Sequence, residues 1–182
     1  MDETLKELAE HIELGLGESL VSWKVEYGEL TLTVNATDIL DAIRFLRDNS
    51  SCKFVNLTDI CGVDYPSREK RFDVVYHFLS PVQNQRVRVK VATDENTPVA
   101  SLTPLFPGAE WFEREAYDMY GILFSGHPDL RRLLMPEDWE GHPQRKDYPV
   151  QIRKAVQTYS PLEISQDEFR ANLERDRIKR AP

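Results

Sequence analysis

Three carboxylates and an arginine cluster in the second half of the chain, at Glu113, Arg114, Glu115 and Asp118. Paired carboxylates are the groups that glycosidases and other acid/base hydrolases use. A neighbouring arginine, however, keeps a carboxylate ionised and therefore unsuited to the role of the acid. The same spacing fits a helix face that carries ion pairs four residues apart. Two interpretations follow, a stand-alone hydrolase and a charged helix face.

Two Gly-His-Pro turns place His127 and His142 in the same half of the chain. A zinc site would need two further ligands, and Cys52 and Cys61 are the only cysteines. Their Cys-x8-Cys spacing matches no usual zinc or iron–sulfur pattern, so the preferred interpretation is two core cysteines. A metal-binding module built from these four residues remains an alternative. Glycine-rich phosphate loops and a Gly-x-Ser-x-Gly elbow are absent from the sequence.

The composition is that of a soluble globular domain, since 41% of the 182 residues are hydrophobic and 30% are charged. No apolar run approaches the roughly 18 residues that a membrane span needs. The first residues lack the pattern of a secretion signal, so we expect a cytoplasmic, reducing location. The net charge of -8 argues against a nucleic-acid partner, because binding to phosphates requires a basic surface.

Residues 1–93 are predicted to form an α+β core, in the order helix, two strands, helix and three strands. A capping box of Thr4 and Glu7 predicts the start of the first helix, and Gly15 and Gly17 predict its end. The second helix is predicted to begin at a cap formed by Thr37 or Asp38.

A two-residue apolar period predicts the strands of this core. In the first strand it places Val21, Trp23, Val25 and Tyr27 on one face. The other predicted strands span residues 30–34, 53–63, 71–79 and 86–92. Two amphipathic helices on one face of a mixed β-sheet make a two-layer α+β fold.

Residues 94–182 are predicted to be a long Pro-rich C-terminal extension, made of short helices and ordered loops and belonging to the same single domain. One short helix is predicted between Pro107-Gly108 and Gly121. Its two predicted faces are an apolar one with Phe112, Ala116, Met119, Tyr120 and Leu123, and a polar one with Glu110, Arg114, Glu115 and Asp118.

A final helix is predicted near Gln166, from the capping box of Ser165 and Glu168 and a hydrophobic staple of Ile164 and Phe169. An extension that is rich in arginine and aromatic residues but poor in core residues must rest on something else. Arginine and aromatic residues are also enriched at the centres of protein interfaces. The composition therefore favours an interface that wraps around a partner.

Three blocks of the sequence resemble the 30 kDa subunit family of respiratory complex I, the proton-pumping NADH:quinone oxidoreductase. The resemblance covers roughly residues 54–150. The blocks are Glu113-Arg114-Glu115-x-x-Asp118-Met119-Tyr120 with His127 and Arg131-x-Leu133-Leu134, then Trp139-Glu140-Gly141-His142-Pro143-x-Arg145-Lys146-Asp147-Tyr148-Pro149, and upstream Arg71-Phe72-Asp73-Val74-Val75-Tyr76-His77-Phe78-Leu79-Ser80. The chain has Tyr120 where phenylalanine is more usual.

The resemblance implies a structural subunit of the hydrophilic arm that holds no cofactor and supplies no catalytic residue. FMN and the iron–sulfur clusters would belong to partner subunits, and the extension would lie along a 49 kDa-type subunit that helps to form the quinone site. The complex would bring the chain to the cytoplasmic side of the cell inner membrane as a peripheral protein. The expected docking residues are Glu113, Arg114, Glu115, Asp118, His127, Arg131, Arg132, Glu140, His142, Arg145, Lys146, Asp147 and Tyr148.

The charged docking residues have two possible roles. They could pair with charges on the neighbouring subunit, or brace the extension internally. A homologous subunit of a membrane-bound hydrogenase or related dehydrogenase is the alternative within the same fold. A stand-alone hydrolase that uses Glu113, Glu115 or Asp118 is the alternative from another class.

Overall fold

The computed structural model describes residues 2–149, together with residues 165, 167 and 169–171. The chain divides into two units, residues 1–148 and 149–182. The elements of the first unit are α1 (Asp2–Leu16), β1 (Leu20–Glu26), β2 (Glu29–Val34), α2 (Ile39–Asp48), β3 (Asn56–Asp64), β4 (Phe72–Ser80), β5 (Gln85–Thr93), β6 (Val99–Ala100), α3 (Ala109–Tyr120) and β7 (Phe124–Ser125). In the second unit residues 167 and 169–171 are helical, whereas Gln166 and the staple residue Ile164 lie outside the described residues.

Five strands form a mixed sheet in the order β1-β2-β5-β4-β3. All neighbours are antiparallel except β2 and β5, which run parallel with Leu30 opposite Val87. The short strands β6 and β7 form a separate parallel pair. The α+β class and the mixed sheet predicted from the sequence are confirmed, while the predicted extension beyond Pro149 lies mostly outside the described residues.

Alternating side chains of the strands place one face of the sheet in the core. On β5, Val87, Val89 and Val91 are buried there, as their strict alternation predicts. The apolar faces of α1 and α2 pack on the same face. The core also takes in apolar residues of the second half of the chain, up to Phe124. The predicted boundary between residues 93 and 94 stays a prediction.

The start and end of the first helix differ from the prediction. Helix α1 begins at Asp2, so Thr4 lies inside it and the predicted capping box is wrong. Gly15 also lies inside α1, where a Cβ atom would come within 2.2 Å of the Phe45 ring. Gly15 therefore serves close packing between α1 and α2, and the chain leaves the helix through a short 3-10 turn that starts at Gly17.

Two details of the first strand also differ. A register shift between Leu20 and Ser22 breaks the alternation of β1, so Val21 is exposed instead of buried. Tyr27 is fully exposed because it occupies the hairpin turn with a φ of 54°. Trp23 and Val25 pack against the core as predicted. Asp38 is the N-cap residue of α2, although its side chain makes no capping hydrogen bond.

Candidate functional site

The predicted short helix is present as α3, and its ends are those the sequence predicts. It follows Gly108 and ends at Gly121, whose left-handed backbone lets its N–H donate to the Tyr117 carbonyl oxygen over 2.7 Å. The prediction of its faces is partly wrong. Asp118 is completely buried and Arg114 is 8% exposed, whereas the apolar Leu123 is 37% exposed.

Asp118 is the centre of a buried cluster that holds residues 132–135 against α3. One carboxylate oxygen accepts the backbone N–H groups of Leu133, Leu134 and Met135 at 3.0, 2.7 and 2.8 Å. The other accepts Arg132 Nη1 at 2.7 Å. Burial alone would raise the pKa of Asp118, but the donors of Met135, Arg132 and the two leucines outweigh it and lower the pKa. Asp118 is therefore an ionised structural acceptor.

Arg132 continues this cluster toward the second block of the family resemblance. Its Nη2 donates to the carbonyl oxygens of Trp139 and Gly141 at 2.8 and 2.9 Å. The side chain is 16% exposed. Because one guanidinium joins the Asp118 carboxylate to two carbonyls further along the chain, it fixes the path of residues 132–141. We call Asp118, Arg132 and the three amides of residues 133–135 the Asp118 cluster.

Arg114 and His142 support the same path from either side. Arg114 donates to the carbonyl oxygens of Arg131 and Arg132 at 3.2 and 2.9 Å. His142 Nδ1 donates to the Asp118 carbonyl oxygen at 3.0 Å. Burial lowers the pKa of His142, and the nearby cations Arg145 and Arg132 act in the same direction. His142 is therefore a neutral hydrogen-bond donor near pH 7.

A second cluster is centred on Arg71, just before β4. Its guanidinium forms a fork with both oxygens of Asp64, at 2.7 and 2.9 Å. It also binds Asp147 at 2.8 Å and Glu95 at 3.1 Å. Hydrogen bonds from Arg71 are the largest cause of the lowered pKa of both Asp64 and Asp147. We call Arg71, Asp64, Glu95, Asp147 and Arg145 the Arg71 cluster.

Arg145 joins this cluster to the end of α3. It pairs with Glu95 at 3.2 Å and donates to the Tyr120 carbonyl oxygen at 2.6 Å. The backbone N–H of Lys146 donates to Asp64 at 2.7 Å. The two clusters together bind residues 131–148 to the domain at both ends of the segment.

Glu113 lies on the other side of α3, and it is completely buried. Its carboxylate accepts Ser101 Oγ at 2.6 Å and the Leu102 N–H at 2.7 Å. Burial raises the pKa of Glu113, and these two hydrogen bonds only partly offset it. The side chain therefore fastens α3 to the loop after β6. Glu113 and Asp118 both point into their own chain, and only Glu115 of the three predicted carboxylates is exposed.

The four residues of the metal alternative do not come together. Cys52 is buried in the hydrophobic core, and Cys61 lies on β3. His127 Nδ1 accepts the Asp129 N–H at 3.0 Å, so its Nε2 carries the proton and donates to the Glu110 carbonyl oxygen at 3.1 Å. Among the residues that the structure describes, no group of three or more His, Cys, Asp or Glu side chains could hold a metal ion.

The predicted docking residues fall into three classes of exposure. The buried ones are Glu113, Arg114 and Asp118, the half-buried ones are His127, Arg132, His142, Arg145 and Tyr148, and the exposed ones are Glu115, Arg131, Glu140, Lys146 and Asp147. Tyr148 donates its hydroxyl to the Glu140 carbonyl oxygen at 3.1 Å. The half-buried residues brace the segment internally.

Sequence reasoning missed Asp64 and Glu95, which receive the segment, and Ser101, which receives Glu113 of α3, and it gave Arg71 no role. The sequence did contain a signal for the contact between Asp64 and Arg71. These two residues flank the loop between two predicted strands, and opposite charges at such positions can meet across the hairpin. No pattern pointed to Glu95 or Ser101, since both contact residues far along the chain.

Residues 32–154 match the family described as "Respiratory-chain NADH dehydrogenase, 30 Kd subunit". The chain belongs to this family. It is 56% identical over 179 residues to the C subunit of NADH-quinone oxidoreductase from Sinorhizobium medicae (strain WSM419), an alignment that covers 93% of this chain and 88% of the relative. It is 55% identical to the protein of the same name from Brucella ovis (strain ATCC 25840 / 63/290 / NCTC 10512), covering 93% of this chain and 87% of that protein.

A solved structure shares the fold of this 30 Kd subunit family member. It is a chain of the membrane-bound sulfane sulfur reductase, an archaeal respiratory membrane complex, with a TM-score of 0.68 and 24% sequence identity. The alignment covers 80% of this chain and 85% of that one. In the part of the chain that the structure describes, no helix has the length and apolar character to cross a membrane.

Proposed function

We propose that this chain is a structural docking subunit of an NADH:quinone oxidoreductase. The relatives that share more than half of its residues are named as a subunit of that enzyme, which supports the proposal. In this role the chain contributes to electron transfer from NADH to quinone without supplying a reacting group. FMN and the iron–sulfur clusters belong to partner subunits, and the chain reaches the cytoplasmic side of the inner membrane through the complex.

The observation that carries the docking role is the way in which residues 131–148 are fastened. The Asp118 and Arg71 clusters hold this segment by ion pairs and by hydrogen bonds to its backbone, and none of its residues belongs to the hydrophobic core cluster. A segment held in this way keeps one conformation before a partner arrives, and such preorganisation lowers the entropy cost of binding. Its exposed charges then form the surface that meets the partner.

The exposed members of the predicted docking set are the contacts we propose for a 49 kDa-type subunit. They are Glu115, Arg131, Glu140, Lys146 and Asp147, of which Asp147 is also bound to Arg71. The buried and half-buried members act indirectly, by fixing the backbone that carries these side chains. Reversal of Arg145 would therefore disturb the fold itself, because its guanidinium is bound to Glu95 and to the Tyr120 carbonyl oxygen.

Two of the exposed residues test this proposal, and in this chain Arg131 pairs with the exposed Asp129. Tagged chains with Arg131→Glu and Lys146→Glu are expressed in cells that lack the native protein, and they are recovered from gently solubilised membranes. Because like charges facing each other across an interface cost several kcal/mol, recovery of partner subunits should fall by at least about tenfold. The control is Lys24→Glu, since Lys24 is also exposed but lies on β1, away from the segment.

The partners in the eluate are identified by mass spectrometry, and its NADH:quinone activity is measured. Recovery of a 49 kDa-type subunit with NADH-oxidising subunits supports the proposal. Recovery of hydrogenase subunits assigns the chain to a membrane-bound hydrogenase or a related dehydrogenase complex. Unchanged recovery with both reversed variants refutes the docking surface, and an isolated chain with hydrolase activity refutes the structural role.

A further inference from the structure

Strand β3 forms one edge of the sheet, and among the described strands it has a neighbour on one side only, which is β4. Within residues 2–149, no backbone hydrogen bond from a turn or loop reaches Asp59–Val63 on the other side. The free edge has defined ends. A register irregularity lies between Leu57 and Asp59, and the Lys146 N–H binds the Asp64 carboxylate at 2.7 Å. Unpaired N–H and C=O groups of such an edge can pair with another strand.

A groove runs between this edge and helix α3, with a volume of about 150 Å³. It is lined by Asp59, Ile60, Cys61 and Gly62 of β3, by Glu115, Ala116, Met119 and Tyr120 of α3, and by Gln144. Four consecutive β3 residues line the groove. Because successive residues of a strand point to opposite faces of the sheet, the groove borders the backbone edge of β3 and not only one face of the strand. A strand edge beside a helix is an arrangement that accepts an extended peptide, with the groove taking alternate side chains.

The charged side chains that line this groove are all acidic, whereas the cations nearest to it, such as Arg88, lie on β5 outside the groove. Asp59 and Glu115 are its ionisable carboxylates, and no lysine, arginine or histidine of the described part of the chain lines it. Burial raises the pKa of the Cys61 thiol, and the charge of Asp59 and a hydrogen bond to Asp59 act in the same direction. Arg88 opposes this shift, and Glu115 adds to it more weakly. An occupant that carries lysine or arginine beside its strand would complement these carboxylates.

We propose that β3 receives an extended, basic segment of a partner subunit, which adds to the sheet as a sixth strand along Asp59–Val63. The inference rests on the proposed function, since it needs a partner, and it adds how that partner binds. Main-chain hydrogen bonds to β3 supply the affinity. The two carboxylates and the groove select a segment with a cationic side chain.

The other edge of the sheet provides the internal comparison. Strand β1 exposes Lys24 and Glu26, which pair with each other at 2.7 Å. Exposed charges of both signs on an edge strand are a common means of preventing further pairing. We therefore expect β1 to stay at the edge of the sheet when the complex assembles.

Hydrogen exchange with single-amide resolution tests the inference on the full chain, free and within the purified complex. The amides of Asp59–Val63 that point away from β4 should exchange at least about tenfold more slowly in the complex, because they become bonded. The outward amides of β1 should be unchanged. Equal exchange of the β3 amides in both states overturns the inference. Protection already present in the isolated monomer also overturns it, since the strand would then come from this chain itself.

The charge requirement has its own test. Asp59→Asn combined with Glu115→Gln should reduce the protection of the β3 amides in the complex by between about twofold and tenfold, as expected for exposed charge pairs. Glu26→Gln on β1 is the matched control.

A photo-reactive benzoylphenylalanine in place of the exposed Thr58 should capture a partner peptide that contains lysine or arginine. A captured peptide without either residue refutes the charge argument.

The two proposals fail in different ways. A tagged chain that recovers no other subunit refutes the proposed function and the partner strand together. A chain that recovers the complex while its β3 amides exchange as in the free state refutes the partner strand alone.

Discussion

The substitution Asp118→Asn tests the Asp118 cluster, because it keeps the size of the side chain and removes its charge. One asparagine oxygen can still accept the three amides of residues 133–135. Its NH2 group must then face the Arg132 guanidinium, where the carboxylate now accepts at 2.7 Å. Two donors face each other, and a buried ion pair loses one partner. Losing one member of a buried pair costs about 3–5 kcal/mol.

Because Arg132 is 16% exposed, it can recover part of this loss by contact with water, so we take the lower end of the range. A loss of about 3 kcal/mol corresponds to a change of more than about a hundredfold in an equilibrium constant. The measurement is hydrogen exchange of the Leu133, Leu134 and Met135 amides, whose protection should fall by that factor. The control is Asp129→Asn, which breaks an exposed pair with Arg131 and should change stability by less than about 0.5 kcal/mol.

Acid provides a second readout of the same cluster. The pKa of Asp118 is lowered in the folded chain, so its contribution is complete above the ordinary value of about 4 and is lost as the pH falls through the lowered value. The stability difference between the native chain and Asp118→Asn should therefore shrink toward acid pH. Equal protection in Asp118→Asn and Asp129→Asn near pH 7, or a difference that does not depend on pH, would refute the reasoning.

Two further predictions concern the C-terminal part of the segment 131–148, where it contacts Gly121 and Arg71. Gly121→Ala combines a φ of +76° with a Cβ 2.6 Å from the Arg145 guanidinium and the His142 ring, so it should cost about 2–4 kcal/mol in urea unfolding. Gly28→Ala has the same φ and no atom within 4 Å, so about 1–2 kcal/mol is expected, and equal losses would contradict the close packing. Arg71→Met should cost about 3–5 kcal/mol, because it leaves the buried Asp64 carboxylate unpaired. Arg44→Met, which breaks an exposed pair, should cost less than about 1 kcal/mol, and a similar loss in both would argue against the Arg71 cluster.

The sequence predicts a helix or strand well where particular residue types mark its ends or divide its side chains between two faces. Gly108 and Gly121 bound α3, and Gly121 also supplies its left-handed end. The alternation of β5 gave its buried face, since a strand needs only its own period to divide its side chains. The β1 strand failed at Val21 because a register shift is set by pairing with β2, which the local pattern does not encode.

The candidate site was predictable in its residues and not in its arrangement. Asp118 and Arg114 fit a polar helix face, and helical period alone places them toward solvent. Their burial comes from residues 131–135, which return to α3 after a turn at Gly126. Glu113 is covered by a different tertiary contact, the loop that carries Ser101 and Leu102, while Glu115 meets neither segment and stays exposed.

The parallel pairing of β2 with β5 has a consequence for how the chain folds during synthesis. The hairpin β1–β2 and the meander β3–β4–β5 each join neighbours in sequence, whereas Leu30 and Val87, which pair across β2 and β5, lie far apart in the chain. Pairings between distant residues close slowly, because a long loop loses entropy before any contact is gained. We therefore expect the pairing of β2 with β5 to limit the folding rate. Until Thr93 has left the ribosome, the apolar faces of α1 and α2 have no complete sheet to cover and are open to chaperones and to aggregation.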